Sequence, residues 1–450
     1  MNHELCIDKN VKDFIKKHLN DDVNKLALSK FPEGVDKQFV VRQVQARQVL
    51  SKKLPSWAEN DELIFPKKLS LEQCSSELTA KYKALLSSTK LHESPRKISA
   101  NSCELVDEKV STNPHESTRK ISDNSCILVD EKKILVDLTG GMGVDTSFLS
   151  DNFDKTYYVE MQEELCEIAR HNFKILNKNI EVVNDNAEHF LTTCDEVDCF
   201  YLDPARRDEY GRKMVSLHDC SPDVAELQDI LLKKAKKVLV KVSPMLDIEM
   251  IKKELTDIAE IHVVAVRNEC KEILLEIQKL KNSKTQNLRI LATDLREGWN
   301  FSFTEDEEHN AEWTLADKVG KYLYEPGAAC MKAGCFKLLS QKYNLDKLHR
   351  NSHLYTSDEL CPDFPGRIFE VIDTFPFDKK TKKEISSRCQ QISSEDFSAT
   401  LKKASVAVRN FPLSAEELKK NLGLQDGNDF YIFGTTMKGE RKVVVLTKKK

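Results

Sequence analysis

Apolar positions fall into two textures along the chain. Up to about residue 88 they recur at helical spacing. Leu71, Cys74, Leu78, Tyr82 and Leu85 share one face after Ser70 and Gln73, which have capping-box spacing, and Pro55 and Pro66 mark breaks between helices. From Ile134 onward, short apolar runs alternate with polar helical stretches. Strands are predicted at Ile134–Leu138, Thr156–Glu160, Ile180–Asn184, Asp198–Leu202, Lys237–Val242, Glu260–Val266 and Glu272–Gln278, with helices such as Glu163–Leu176 and Val224–Lys236 between them. This alternation predicts an α/β fold with a Rossmann-like parallel sheet. Only Arg267–Lys271 separates the last two strands, too little for a crossover helix, so the seventh strand should run antiparallel.

Residues from about Leu288 to Phe369 read as mixed α/β. The stretch from Ile372 to Lys450 reads as a further small α/β unit. Its end predicts a strand at Ala404–Val408, a helix at Ser414–Asn421 capped by Ser414, a turn at Asp426-Gly427, and strands at Phe430–Phe433 and Lys442–Thr447. Between the first two regions, His92–Lys109 recurs as His115–Lys132 with only Pro95/Thr118, Ala100/Asp123 and Glu104/Ile127 differing. Two copies are too few for a solenoid, and the polar composition suits a duplicated linker. The expected segments are therefore a helical region (1–90), a linker (91–133), the main α/β domain (134–285), and two small α/β domains (286–370 and 371–450).

Hydrophobic residues make up 40% of the 450 residues and charged residues 32%, with a net charge of −4. That near-balance hides an asymmetry. Residues 373–450 carry 16 basic and 10 acidic residues, a net of +6, whereas the remainder carries 53 and 63, a net of −10. The C-terminal end is thus the part most suited to a phosphate backbone. No run of 18 apolar residues appears, so no membrane span is expected. The start, Met1-Asn2-His3-Glu4-Leu5-Cys6, lacks the basic and apolar parts of a signal peptide, which points to the cytoplasm. Thirteen cysteines include no Cys-x-x-Cys, and the pairs Cys194/Cys199 and Cys330/Cys335 have no second pair to complete a zinc site. Reduced thiols and no metal are expected.

The candidate chemistry lies at strand ends. The first strand runs into Asp137-Leu138-Thr139-Gly140-Gly141-Met142-Gly143, a turn that lets backbone approach a ligand closely. Counting G-x-G-x-x-G from Gly141, the third glycine position is Thr146. Asp137 at the strand tip would repel a pyrophosphate and favour a ligand ammonium. A nucleoside with a positive amino-acid end, such as S-adenosylmethionine, fits both features. Glu160, ending the second strand, can accept from both hydroxyls of a ribose, although nicotinamide enzymes place an acid there too. Asn186 in Asn184-Asp185-Asn186-Ala187 suits an adenine edge better than Asp185. The fourth strand ends in Asp203-Pro204-Ala205-Arg206-Arg207, where an acidic side chain can orient a nucleophile.

These pieces, in order on successive strand ends, resemble a bacterial family of class I S-adenosylmethionine-dependent methyltransferases with a C-terminal THUMP-like domain. The likeness also rests on Lys53–Trp57 (KLPSW), Leu69–Ala80, Asn268–Lys271 (NECK), Leu354–Ser357 (LYTS), Phe364–Arg367 (FPGR), Arg409–Ser414 (RNFPLS) and Phe433–Thr436 (FGTT). It implies a seven-stranded Rossmann-like methyltransferase core behind the helical region, followed by ferredoxin-like and THUMP-like domains. It further implies S-adenosylmethionine contacts at Asp137, Thr139, Gly141, Gly143, Glu160, Asn186 and Asp203, with Asp203 and Arg206 catalytic. THUMP modules act on RNA, so tRNA or rRNA is the substrate class implied. Ala205 and Arg206 stand where enzymes methylating exocyclic amines commonly carry proline and an aromatic, which leaves the methylated atom open. Arginine can stack on a base or hold a phosphate. Two alternatives stay open: methylation of a protein or small molecule, and a non-catalytic RNA-interaction protein that binds the donor.

Overall fold

The computed structural model describes residues 7–87, 132–206, 216–279, 288–378, 383–385, 403–428 and 430–450. The duplicated segment, apart from Lys132, and Arg207 lie outside these residues. The chain divides into two compact units, Met1–Ala259 with Ile273–Lys284 and Glu260–Glu272 with Thr285–Lys450.

The first unit opens with helices α1 (Lys9–Lys17), α2 (Val23–Leu28), α3 (Lys37–Leu50), α4 (Pro55–Ala58), α5 (Lys68–Gln73) and α6 (Glu77–Ser87). Asp8, Asp22 and Asp36 cap the first three by accepting backbone N–H bonds. Helix α3 is the hub. Its Val40 and Val44 pack with Ile15 and Leu26, and its Ala46 and Leu50 pack with Trp57, Phe65 and Leu71. Between those clusters, buried Arg47 donates to Gln43 and to the carbonyls of Asn60, Asp61 and Leu63.

The helix expected to start at Ser70 is broken in two. Ser70 lies inside α5, and Cys74 is extended. Ser76 then accepts from Thr79 N–H at 3.3 Å at the start of α6. The interruption has a physical cause: Ser75 turns its hydroxyl to Asp145 (2.7 Å) and receives a bond from Lys83 (3.0 Å) instead of continuing a helix.

Strands β1 (Ile134–Asp137), β2 (Lys155–Glu160), β3 (Ile180–Asn184), β4 (Val197–Leu202) and β5 (Ala235–Val242) pair in parallel. Helices α7 (Val144–Leu149), α8 (Glu163–Ile175), α9 (Ala187–Thr193), α10 (Val224–Lys234) and α11 (Ile248–Glu254) alternate with them. Strands β6 (Ile258–Val266) and β7 (Glu269–Ile277) form a hairpin, and β7 pairs antiparallel with β5, as the short connection requires. These seven strands lie in the order β3-β2-β1-β4-β5-β7-β6 within a nine-stranded sheet. Because β1 lies between β2 and β4, the chain reverses direction across the sheet there, and open α/β sheets bind ligands at the carboxyl ends of the strands at such a point.

In the second unit, β8 (Arg289–Asp294) pairs with β6 and β9 (Trp299–Thr304) with β8. Three helices follow: α12 (Glu305–Asn310), α13 (Ala328–Ala333) and α14 (Phe336–Tyr343). The NECK stretch forms the β6–β7 turn. Arg267 and Asn268 both take positive φ, and Asp294 accepts their N–H groups at 3.1 and 2.6 Å. The Asn268 side chain accepts from Ala328 N at the start of α13. Burial pushes the Cys270 thiol up to about 11, which suits a structural cysteine rather than a nucleophile.

A second sheet contains β10 (Tyr322–Pro326), β11 (Asp346–Lys347), β12 (Tyr355–Ser357), β13 (Gly366–Pro376), β14 (Ser405–Arg409), β15 (Phe430–Met437) and β16 (Arg441–Lys449), in the order β11-β12-β10-β13-β16-β15-β14. Helix α15 (Ala415–Leu422), capped by Ser414 as expected, connects parallel β14 and β15. Alternating side chains build two cores. Leu323, Phe369, Phe433 and Val445 belong to one, and Ile432, Val444, Leu446 and Leu418 to the other.

Candidate functional site

The loop between β1 and α7 is stitched to the strands on both sides of it. Leu138 N donates to Tyr201 O on β4, and Gly140 N donates to Val159 O on β2. The glycines answer to geometry. A Cβ on Gly140 would lie 2.3 Å from the Tyr158 ring, and one on Gly143 would lie 2.8 Å from Phe173. Gly143 also takes φ +80°. Gly141 takes φ +54°, and a Cβ there would meet only Thr139 O, at 3.7 Å. Gly141 is therefore the open position of the loop.

Asp137 ends β1 with 1% exposure and is turned into the protein. It accepts from Thr139 N at 2.9 Å and Thr146 Oγ1 at 2.5 Å. Burial raises its carboxyl to about 7, against the lowering effect of those bonds. In this structure its carboxylate acts on the loop, bracing both ends. Thr139 extends the brace by accepting from Asp203 N at 2.6 Å, so the turn after β1 is locked to the turn after β4. Glu160 lies at the end of β2 and accepts Gly141 N and Gln162 N, one on each oxygen, both at 2.9 Å. The end of β3 joins through Asn184 and Asp185 N, both bonded to Glu160 O. Asn186 caps α9 by accepting from His189 N, and Asp185 is engaged by His189 Nδ1 at 2.7 Å.

Asp137, Thr139, Gly141, Gly143, Glu160 and Asp203 thus belong to one connected strand-end network, with Asn186 one residue beyond it. Arg206 lies in a two-residue ribbon, paired through its backbone with Cys220. Three contributors were not singled out from sequence. Lys241, near the end of β5, places Nζ 2.5 Å from Asp203 Oδ2. A lysine between Val240 and Val242 in a central apolar strand requires a partner, and that was the available signal. Met161 follows Glu160 and is 71% exposed, an apolar surface on the same edge. Lys83 on α6 is fully buried, 3.2 Å from Asp145 in the first turn of α7. Burial works to raise Asp145, but Lys83, then Lys241, Ser75 and Tyr201, outweigh it and hold the carboxyl below its ordinary range. Met142 and Val144, flanking Gly143, pack into the core that α3, α4 and α5 build. The helical region therefore holds the glycine loop from behind.

In the second unit, Glu325 on β10 is buried and meets Arg367 Nε at 2.8 Å and Arg409 Nη2 at 2.5 Å. The guanidinium of Arg367 also stands over Phe369 and Tyr431. These arginines come from the FPGR and RNFPLS stretches. Nearby, Asn410 bonds His349, and Thr436 bonds Asn410 O. Among the described residues, His218, Asp223 and Glu226 come close enough for a cation, but Asp223 caps α10 and bonds His218, which accounts for the grouping.

Strand order and a glycine loop at the switch point define a Rossmann-like, seven-stranded class I methyltransferase fold. The resemblance seen in the sequence is borne out in the C-terminal THUMP-like domain and in the methyltransferase-like fold. Family models match a ferredoxin-like domain at residues 322–365 and a THUMP domain-like segment at 366–449. A solved structure from Porphyromonas gingivalis W83, provisionally named a methyltransferase, is 29% identical, with a TM-score of 0.77 over 99% of this chain and 100% of that one. An rRNA methylase from Streptococcus thermophilus is 18% identical over 34% of this chain and 90% of its own, with a TM-score of 0.27, too loose a likeness to carry weight. No curated protein matches the chain. No helix among the described residues is long and apolar enough to cross a membrane.

Proposed function

We propose that this chain transfers a methyl group from S-adenosylmethionine to RNA, with tRNA or rRNA as the substrate class. The observation that carries this reading is the connected network of Gly141, Glu160, Thr139 and Asp203 at the carboxyl ends of β1, β2 and β4. The likeness to the Porphyromonas gingivalis structure across the whole chain supports it.

The residues fit the donor. Gly141 leaves open space beside the loop. Each Glu160 oxygen accepts only one backbone N–H among the described residues, which leaves lone pairs for two vicinal hydroxyls. Exposed Met161 offers an apolar face to a purine, and Asn186 its amide to the purine edge. Gly143 shapes the loop, and Asp137 and Thr139 act by bracing it. When bound, S-adenosylmethionine supplies an activated methyl group. Asp203 orients the nucleophile through its half-exposed carboxylate, so catalysis is mainly positioning. Arg206 is assigned to substrate phosphate. The THUMP-like match and the net +6 of residues 373–450 support RNA over protein or a small molecule.

The test is transfer from labelled donor to total RNA of a strain lacking this protein and of its parent. Label entering only the RNA of the deletion strain supports the proposal. Label in protein or small-molecule fractions alone, or donor binding without any transfer, favours the two alternatives in turn.

A further inference from the structure

Asp203 is held from two sides, and only one of those holds belongs to the glycine-loop network. Its backbone N–H is fixed by Thr139 Oγ1 on the β1 side. Its carboxylate is fixed by Lys241 Nζ from β5, at 2.5 Å to Oδ2. The two side chains differ in accessibility: Lys241 is 13% exposed and Asp203 34%. A substrate can therefore reach the carboxylate but hardly the ammonium. We infer that Lys241 is a positioning residue for methyl transfer, acting through Asp203 by fixing which carboxylate oxygen faces the substrate. This inference rests on the function proposed above.

The physical case runs through side-chain freedom. An aspartate at a strand end can rotate about two bonds, and each rotation swings its oxygens away from an incoming nucleophile. An ammonium on one oxygen makes a charge-assisted bond that is stronger than a neutral one. It thereby leaves Oδ1 as the oxygen available to an N–H or O–H of the substrate. Asp145 does not account for the placement of Lys241, because Asp145 already has Lys83 at 3.2 Å, Ser75 and Tyr201. Lys241 acts on Asp145 as well, but in second place behind Lys83 among its charged neighbours.

The test uses the full chain carrying Lys241→Met or Lys241→Arg. Donor affinity is measured by calorimetry, turnover with labelled donor on RNA from the deletion strain, and Asp203 geometry by crystallography. Lys241→Met should lower turnover roughly 10- to 100-fold, the scale of a misplaced reacting group, with donor affinity within about threefold of the parent. Lys241→Arg should recover most of that turnover. In the Lys241→Met crystal structure, the Asp203 carboxylate should leave its parental orientation while Asp203 N stays on Thr139. An unmoved carboxylate overturns the inference, as does turnover within about threefold of the parent, or a loss of donor affinity matching the loss of turnover. If the parent protein transfers no methyl group, the proposed function itself fails. An active parent with an unaffected Lys241→Met variant defeats only the role of Lys241.

Discussion

Two regions of this molecule hold charge in opposite ways. At the strand ends of the first unit, the partly exposed carboxylates of Glu160 and Asp203 are held by backbone N–H groups and a nearly buried lysine. In the second unit the carboxylate, Glu325, is buried, and two partly exposed guanidiniums lie around it. The first arrangement presents acceptors, which suits hydroxyls and amines. The second carries one positive charge more than it neutralises and presents donors, which suits anions.

The contrast can be broken by mutation. The largest effect should come from Lys83→Met, which leaves Asp145 buried without its cation and should cost about 3–5 kcal/mol of stability. Arg409→Gln should cost less, about 1 kcal/mol, because its guanidinium is 36% exposed and Glu325 keeps Arg367. Chemical denaturation of both variants measures the difference. A larger loss for Arg409→Gln would make the arginine pair a structural keystone rather than a presented surface.

Next in size is Gly143→Ala, which forces a side chain into a left-handed position against Phe173. It should destabilise by roughly 1–3 kcal/mol and weaken donor binding. Calorimetry showing intact donor affinity would separate the loop's shape from its proposed ligand role.

The smallest effect concerns pH. His353 stacks on Phe336 with ring centres 3.7 Å apart, and burial, then Lys347 and Arg409, lower its pKa to about 4. An unfolded histidine titrates near about 6.5, so the fold favours the neutral ring. The stability this gives is present above about 6.5 and declines as pH falls toward about 4. Asp137, raised to about 7, works in the opposite sense over part of that range. The informative quantity is therefore the difference between the parent and His353→Phe. Melting temperatures at pH 7.5 and pH 5 should fall more for the parent than for the variant.

Much of the first unit was legible in sequence because its signals are local. Alternating apolar runs marked β1 to β5, the five-residue gap before β7 gave its direction, and Asp137, Glu160 and Asp203 each lay within one residue of the end of a predicted strand. The split between α5 and α6 was not legible, because the hydroxyl of Ser75 is claimed by Asp145, seventy residues away. A similarly long separation in sequence hid the partner of Lys83. Lys241 could be noticed as a charge in an apolar strand, but its partner depends on β4 and β5 being neighbours. In the second unit, Arg367 and Arg409 appeared within motifs, yet Glu325, which joins them, lies outside every stretch that drew attention. A cut near Phe369, which the charge distribution alone would suggest for isolating the basic end, would sever β13 within one continuous sheet.

The central claim is that the strand ends of the first unit bind S-adenosylmethionine through Glu160. Its most direct test is calorimetric titration of the donor into the parent protein and into Glu160→Ala. Because Glu160 also accepts Gly141 N and Gln162 N, the melting temperature of the variant must be followed alongside. Binding to the parent that weakens by roughly 10- to 100-fold in Glu160→Ala, equivalent to about 1.5–3 kcal/mol, is the predicted result. A parent that binds no donor, or a folded variant that binds it equally well, would contradict the account.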